Sequence, residues 1–229
     1  TWTAGADLLD KANDLLLLDT LDSREVIRAS ADGLLSDGQL VADGNAVTTP
    51  LFLETEQYIQ SVFNLHGWEE RPLPGIQQQL AGLKARQAEA YQAALRHAIV
   101  AISGGAGTGK TYVLARISKS FQQTRLRVAL CSPTGKAAKR IEESLRSQGL
   151  SLEAKTIHRL LEYDGHQFHR ESLSWPSQTE DDEDDEDADP PYDVVVVDEV
   201  SMVDAPLMAE LLRRIDFTQT RLILVGDHN

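Results

Sequence analysis

The 229-residue sequence contains one cysteine and no long apolar run. The single cysteine, Cys131, excludes an internal disulfide and suits a reducing compartment, so we expect a cytoplasmic protein. Because Cys131 lies in an apolar stretch, we expect a buried thiol rather than a reactive one. No stretch reaches the roughly 18 apolar residues that a membrane-spanning helix needs. Residues 1–20 lack the basic start and apolar core of a signal peptide, so neither a membrane span nor a secretory leader is expected.

Glycine is concentrated in Gly104–Thr111, which reads Gly-Gly-Ala-Gly-Thr-Gly-Lys-Thr and matches the phosphate-binding pattern Gly-x-x-x-x-Gly-Lys-[Ser/Thr]. The glycines let backbone amides approach phosphate oxygens, and a following helix adds its positive dipole end. The apolar run Ala98–Ile102 predicts a buried strand before the loop, and Tyr112–Phe121 has the spacing of a helix after it. This order favours nucleotide binding over a flexible glycine-rich turn. The expected contacts are Gly105, Ala106, Gly107, Thr108, Gly109, Lys110 and Thr111.

A pair of acidic residues supplies the second half of a nucleotide site. Asp193–Val197 contains four consecutive valines, which predicts a buried parallel strand, and Asp198 and Glu199 follow it. In nucleotide hydrolases, an aspartate at this place holds Mg²⁺ and an adjacent glutamate polarises the attacking water. We therefore predict Lys110, Asp198 and Glu199 as catalytic residues and Thr111 and Asp198 as metal ligands, against the alternative of two exposed acids at a strand end.

Basic residues are few overall, with 22 lysines and arginines against 36 aspartates and glutamates and a net charge of −14. As an average, this balance argues against a nucleic-acid partner. The charge is segregated, however, because residues 96–160 carry 12 basic and 3 acidic side chains. Two interpretations remain open for this block: a surface that binds a polyanion, or a basic face that serves the nucleotide alone. Lys136, Lys139 and Arg140 share one face of a predicted helix, where contact with a phosphate backbone is favoured over a merely solvated face.

Strands alternating with helices predict a parallel α/β sheet with its ligand at the carboxyl ends of the strands. The other two expected strands are Arg127–Cys131 and Arg221–Val225. The expected helices are Ile76–His97 (as one or two helices), Lys136–Gln148 and Ala205–Ile215.

Residues 1–68 predict a small, separate α+β domain that resembles a winged helix. The expected elements are helices at 7–18, Arg24–Leu35 (capped by Ser23) and Glu54–Leu65, and extended runs at Gln39–Val41 and Val47–Leu53 around the turn Asp43-Gly44-Asn45. Since this region is net acidic, a packing role or contact with a protein partner is favoured over contact with DNA. A linker is expected at 69–79 and the larger domain at 80–229.

Residues 180–189 hold nine acidic side chains in ten positions. Such a run repels itself and cannot bury a core, so we expect a disordered loop at about 176–191. A solvated insertion is the plain interpretation, and an acidic flap that competes with DNA for the basic surface is the alternative.

Several motifs together resemble the RecD-like ATP-dependent DNA helicases of superfamily 1. These are Gly104–Thr111, Ser132–Arg140, Thr156–Leu161, Asp198–Asp204 and Gly226-Asp227, in the order and spacing of that family. The resemblance implies a RecA-like first motor domain that hydrolyses ATP with Mg²⁺. It also implies 5′-to-3′ movement on single-stranded DNA, action at duplex junctions, and a role in repair or recombination.

The resemblance also implies roles for individual residues. Gln87 is implied to contact adenine, whereas without the resemblance it would be an ordinary exposed glutamine. Gly226 and Asp227 are implied to belong to the motif that couples nucleotide state to DNA. The residues that match DNA-backbone segments of the family are Pro133, Thr134, Lys136, Thr156 and His158, although a lone histidine more often packs.

The sequence ends within the Gly-Asp motif, so we expect a fragment whose first motor domain is truncated and whose second is missing. An arginine finger from a second domain is worth on the order of 10³–10⁵ in rate, so the fragment is expected to bind ATP, hydrolyse it poorly and not unwind DNA. Two rivals are a GTPase, whose Asn-Lys-x-Asp motif is absent, and a nucleotide-regulated binding module without translocation.

Overall fold

The computed structural model describes residues 2–16, 23–73, 76, 80–174 and 191–227. The chain divides into two compact units, Thr1–Gln60 and Ser61–Asn229. The bounds predicted for the small domain, the linker and the larger domain remain predictions. The acidic run at 180–189 lies outside the described residues, so its disorder also remains a prediction.

The first unit contains a three-stranded antiparallel sheet with strand order β1-β3-β2. Its strands are β1 (Thr3–Ala4), β2 (Val41–Asp43) and β3 (Ala46–Thr48), and its helices include α1 (Gly5–Leu16) and α2 (Arg24–Ser36). Asp43 pairs with Ala46 across the predicted turn, in which Gly44 has a φ of +56°. The α+β content is as predicted, whereas β1 was not anticipated.

The helix α3 (Pro50–His66) begins earlier than predicted. The extended run expected over Val47–Leu53 is therefore wrong from Pro50 onward. Proline suits the first turn of a helix, since its φ is fixed and its missing N–H needs no partner there. The Thr49 carbonyl accepts bonds from the amides of Phe52 and Leu53, both at 3.1 Å, which closes the first turn.

Ser23 precedes α2 but does not cap it with its side chain. Its hydroxyl donates instead to Oδ1 of Asn13 on α1, at 2.5 Å. The predicted cap is thus wrong because this hydroxyl bonds to a neighbouring helix.

The second unit contains five parallel strands in the order β4-β8-β7-β5-β6, which confirms the predicted parallel α/β sheet. The strands are β4 (Ile99–Ser103), β5 (Val128–Ser132), β6 (Ala154–Thr156), β7 (Val194–Val197) and β8 (Arg221–Gly226). The helices are α4 (Ala85–Arg96), α5 (Lys110–Gln123), α6 (Gly135–Ser147), α7 (Ile157–Leu160) and α8 (Ala205–Arg213). Strand β6, at one edge, was not predicted.

The helix predicted over Ile76–His97 forms only as α4. The described residues 76 and 80–84 are not helical, and Gly82 has a φ of +82°. The amide of Lys84 donates to Oε1 of Gln87 at 2.9 Å, so the polar side chain of Gln87 covers the start of α4.

The core of the second unit lies along both faces of the central strands. All four valines of β7 are fully buried, as the continuous apolar run predicts for a central parallel strand. Leu114, Ile117 and Phe121 of α5 are fully buried in the cluster that includes β4, β5 and β8. The sheet thus forms a rigid base for the loops at its carboxyl edge.

Two arginines, the partly buried Arg71 and the buried Arg221, join the segment before α4 to the start of β8. The guanidinium of Arg221 donates to the carbonyls of His97, at 2.9 Å, and of Arg71. That of Arg71 donates to the carbonyls of Phe217 and Thr220. Burial lowers the pKa of Arg221 to about 10, and the positive charge of Arg71 acts in the same direction.

Cys131 is fully buried in β5, and its thiol donates to the Val196 carbonyl at 3.3 Å. Burial raises its pKa to about 12, with a smaller effect from the negative charge of Asp198. Since only the thiolate reacts rapidly with disulfide reagents, we expect no reaction with Ellman's reagent in the native protein and release of one thiol equivalent after denaturation. A native reaction as fast as that of the denatured chain would contradict this burial.

None of the helices in the described part of the chain is long and apolar enough to cross a membrane.

Candidate nucleotide site

The loop Gly104–Thr111 leads from β4 into α5, in the predicted strand–loop–helix order. Gly109 immediately precedes α5 with a φ of +84°, and a Cβ there would lie only 2.6 Å from Nε2 of Gln87. A side chain at position 109 would therefore be strained by its backbone conformation and would displace the amide of Gln87. The unpaired amides and the positive dipole end of α5 lie where the loop ends.

The ammonium of Lys110 is held by three oxygen atoms. It donates to the carbonyls of Gly104 (2.5 Å) and Gly105 (3.1 Å) and to the carboxylate of Asp227. The predicted phosphate-binding lysine and the predicted coupling aspartate are therefore in direct contact. A triphosphate that binds Lys110 must replace one or more of these partners.

A cavity of about 420 Å³ lies over this loop. It is lined by Ala106, Gly107, Thr108, Gly109, Lys110 and Thr111 of the loop and α5, by Ala137, Arg140, Ile141 and Ser144 of α6, and by Asp198, Glu199 and Asp227 after β7 and β8. All three predicted catalytic residues and both predicted metal ligands thus share one cavity. Its volume is within the range of ordinary small-molecule sites.

A second cavity, of about 220 Å³, shares Thr108 and Lys110 with the first. Gly105 and Gln87 line this cavity, together with the apolar side chains of Ala90, Ile102 and Val113. The amide Nε2 of Gln87 donates to the Thr108 carbonyl at 3.0 Å, so Gln87 connects the start of α4 to the phosphate loop. An apolar wall beside a polar amide suits a nucleobase. This lining is therefore compatible with the predicted contact between Gln87 and adenine.

Asp198 and Glu199 lie directly after β7. Burial raises the pKa of Asp198, and the charge of Glu199 adds to the rise, whereas a bond from the Glu199 amide and the positive charges of Lys110 and Arg140 oppose it. Glu199 has a φ of +56°, a left-handed conformation that is rare for non-glycine residues. Such strain is concentrated at functional sites, and here it occurs at the predicted catalytic base.

Gly226 allows the end of β8 to pack closely on the turn that follows Glu199. A Cβ at this position would lie 2.7 Å from Cγ1 of Val200 and 3.3 Å from the amide nitrogen of Ser201. The Gly226 carbonyl also accepts a bond from the Gly104 amide at 3.3 Å. This close packing brings Asp227 to Lys110. The coupling role of both residues remains a prediction.

The oxygen donors of the larger cavity fit Mg²⁺. Thr111, Asp198, Glu199 and Asp227 offer a hydroxyl and carboxylates, which are hard ligands. Within the described residues, no three histidine, cysteine, aspartate or glutamate side chains are grouped so as to hold a metal alone. Mg²⁺ commonly uses one or two carboxylates plus phosphates and water, so this sparse donor set suits it.

The predicted DNA-contacting residues lie together at the carboxyl ends of two neighbouring strands. Ser132 of β5 pairs with Thr156 of β6, which brings the segments that follow these strands side by side. Pro133, Thr134 and Lys136 follow β5, and His158 follows β6.

Two of these residues also have local structural roles, and a third packs against aromatic rings. The hydroxyl of Thr134 accepts from the Ala137 amide at 3.2 Å and that of Thr156 from the Arg159 amide at 3.1 Å, so both are N-caps. His158 is exposed and packs against Tyr163, with ring centroids 5.3 Å apart. These contacts fit a packing role for His158 and leave its DNA contact a prediction.

Sequence reasoning missed that α6 forms a wall of the nucleotide cavity. Its lining residues Ala137, Arg140, Ile141 and Ser144 follow the spacing i, i+3, i+4 and i+7, so a helical face was readable from the sequence. Which element that face meets was not readable. Of the three cations grouped on this helix, Arg140 lines the cavity, whereas Lys136 and Lys139 do not.

Comparison with known proteins agrees with this geometry. Residues 87–229 match the family AAA_19, an AAA domain. An ATP-dependent RecD2 DNA helicase of Deinococcus radiodurans is 36% identical over 146 residues, covering 64% of this chain and 18% of that protein. RecBCD enzyme subunit RecD of Mycolicibacterium smegmatis is 36% identical over 170 residues, covering 64% of this chain and 27% of that subunit. The corresponding subunit of Haemophilus influenzae is 33% identical, covering 62% of this chain and 23% of that subunit.

Among solved structures, the Pif1 helicase from Candida albicans is 23% identical, with a TM-score of 0.40, covering 63% of this chain and 32% of that chain. The chain spans less than a third of the length of these curated relatives. The resemblance to RecD-type helicases that the motifs indicated is nevertheless confirmed by the three similarities. The chain therefore belongs to the AAA domain family, as a nucleotide-binding relative of RecD-type helicases.

Proposed function

We propose that this chain is part of an ATP-dependent DNA helicase of RecD type, which couples ATP hydrolysis to 5′-to-3′ movement on single-stranded DNA. The observation that carries the proposal is the single cavity that joins Lys110, Thr111, Asp198, Glu199 and Asp227. Since the chain is much shorter than its relatives, the unwinding activity is proposed for the whole protein. The proposal includes a cytoplasmic location and a role in repair or recombination.

In this mechanism, the loop amides and Lys110 bind the phosphates, and Gln87 contacts adenine beside the apolar wall of the smaller cavity. Thr111 and Asp198 would hold Mg²⁺, which supplies charge neutralisation at the phosphates when bound. Glu199 orients the attacking water and accepts its proton. Glu199 lines the cavity and has a left-handed backbone conformation.

Asp227 connects this chemistry to DNA. In the structure it holds Lys110, so nucleotide binding must release its carboxylate. We propose that this exchange of partners moves the end of β8, which packs on the turn after Glu199 through Gly226. Nucleotide state is thereby passed to the neighbouring strand ends.

Single-stranded DNA is proposed to cross the carboxyl ends of β5 and β6, at Pro133, Thr134, Lys136, Thr156 and His158. Support comes from their position at adjacent strand ends and from the excess of positive charge in residues 96–160. Duplex junctions are the proposed place of action. For residues 1–68, which are net acidic, we propose a protein partner.

Strand displacement by the whole protein tests this function. We expect displacement of a duplex with a 5′ single-stranded tail, dependent on ATP and Mg²⁺, and little displacement of the matched duplex with a 3′ tail. Preference for the 3′ tail would contradict the proposed polarity. ATP-dependent DNA binding without displacement of either duplex would instead favour a nucleotide-regulated binding module.

A further inference from the structure

Arg140 lies on the face of α6 that forms one wall of the larger cavity. It lines the cavity together with Asp198 and Glu199, and it is absent from the lining of the smaller cavity, which contains Gln87. Arg140 is therefore on the side of the acidic pair and away from the proposed nucleobase contact. A triphosphate whose base contacts Gln87 would extend its terminal phosphate toward this side of the cavity.

In the part of the chain that the structure describes, no neighbouring carboxylate forms an ion pair with Arg140. Arg146 on the same helix, by contrast, pairs with Glu142 at 2.7 Å. Its positive charge nevertheless acts on Asp198, whose pKa it lowers in the same sense as Lys110 does. An exposed guanidinium at the edge of a phosphate site, without a carboxylate partner, is suited to bind an anion.

We propose that Arg140 binds the terminal phosphate of the nucleotide, as a second cation in the cavity that Lys110 lines. The inference rests on the proposed function and deepens it, since it assigns to the nucleotide a residue that the charge pattern groups with the DNA-contacting cations Lys136 and Lys139. Arginine offers a planar fork of donors that matches two phosphate oxygens at once, which lysine cannot do. The contact therefore distinguishes a triphosphate from a diphosphate.

The test uses the whole protein and measures the Kd of a non-hydrolysable ATP analogue, of ADP and of single-stranded DNA without nucleotide. Loss of a charge-assisted hydrogen bond weakens binding by roughly ten- to a hundredfold. We expect Arg140→Ala to raise the Kd of the ATP analogue by this factor. The Kd values of ADP and of single-stranded DNA should stay within about twofold of wild type. Arg140→Lys is expected to recover part of the loss, because the charge remains and the fork does not.

Two controls separate the alternatives. Arg146→Ala removes an exposed arginine from the same helix outside the cavity and should leave all three affinities unchanged. Lys136→Ala should weaken DNA binding and flatten its salt dependence without affecting the analogue.

A DNA defect in Arg140→Ala with normal analogue affinity would overturn the inference and return Arg140 to the DNA-contacting group. Equal weakening of ADP and analogue would also overturn it, since the contact would then not be to the terminal phosphate. If the wild-type protein itself failed to bind the analogue, that result would contradict the proposed function and not only the role of Arg140.

Discussion

Lys110→Ala is expected to abolish DNA unwinding by the whole protein and to reduce ATP hydrolysis by at least about a thousandfold. In the structure, the Lys110 ammonium is surrounded by two loop carbonyls and the Asp227 carboxylate, with about a fifth of the side chain exposed. Alanine leaves the two carbonyls and the Asp227 carboxylate without a cation. ATP binding then loses the attraction between the ammonium and the phosphates and gains repulsion between the carboxylate and the phosphates. Steady-state hydrolysis and strand displacement, measured on the same preparations, give the two losses.

Lys119→Ala is the matched control for this prediction. Lys119 is an exposed lysine on the same helix and does not line either nucleotide cavity. The Lys119→Ala variant should therefore retain hydrolysis and unwinding close to wild type.

Asp227→Asn gives a second comparison, because a neutral partner holds Lys110 less tightly. We expect ATP affinity to be kept or improved and DNA stimulation of hydrolysis to fall. Unwinding by Lys110→Ala at the wild-type rate would reject the helicase assignment.

The phosphate loop and most of the parallel sheet were predictable because their signals are local. The phosphate-loop motif lies within the consecutive residues Gly104–Thr111. The four consecutive valines of β7 are by themselves enough to predict a buried strand. Strand β6 gives no such signal, since three residues centred on Lys155 show neither alternation nor an apolar run. It becomes a strand by pairing with Leu130–Ser132, a contact that the local sequence does not contain.

The arrangement of the site was only partly predictable for the same reason. The residue types that bind phosphate and metal follow from their motifs, but the contact between Lys110 and Asp227 joins positions 117 residues apart. The face of α6 was visible as a helical pattern, yet the pattern alone placed Arg140 with Lys136 and Lys139. Only the packing of α6 against the carboxyl edge of the sheet separates a cavity-lining arginine from two cations outside the cavity.

Glu199→Gln is expected to lower the kcat for ATP hydrolysis by about 10²–10⁴, the usual contribution of a general base. ATP affinity should change little, since glutamine keeps the size of the side chain and removes a negative charge near the phosphates. The left-handed backbone at this position is retained as well, because glutamine and glutamate have the same Cβ geometry. The variant should therefore accumulate as an ATP-bound complex. Single-turnover hydrolysis with a separate equilibrium titration of ATP measures the two effects independently.

The neighbouring Asp198→Asn separates base catalysis from metal binding. Asp198 is partly buried and is the proposed Mg²⁺ ligand. Its replacement should weaken ATP binding in the presence of Mg²⁺, and weaken it much less in the absence of Mg²⁺. Glu171→Gln, an exposed glutamate outside the cavity, serves as the neutral control. Hydrolysis by Glu199→Gln at the control rate would mean that another group accepts the proton from water. Asp227 would then be the first alternative to examine, because Asp198 is assigned to Mg²⁺, whereas the Asp227 carboxylate becomes available once nucleotide takes its place on Lys110.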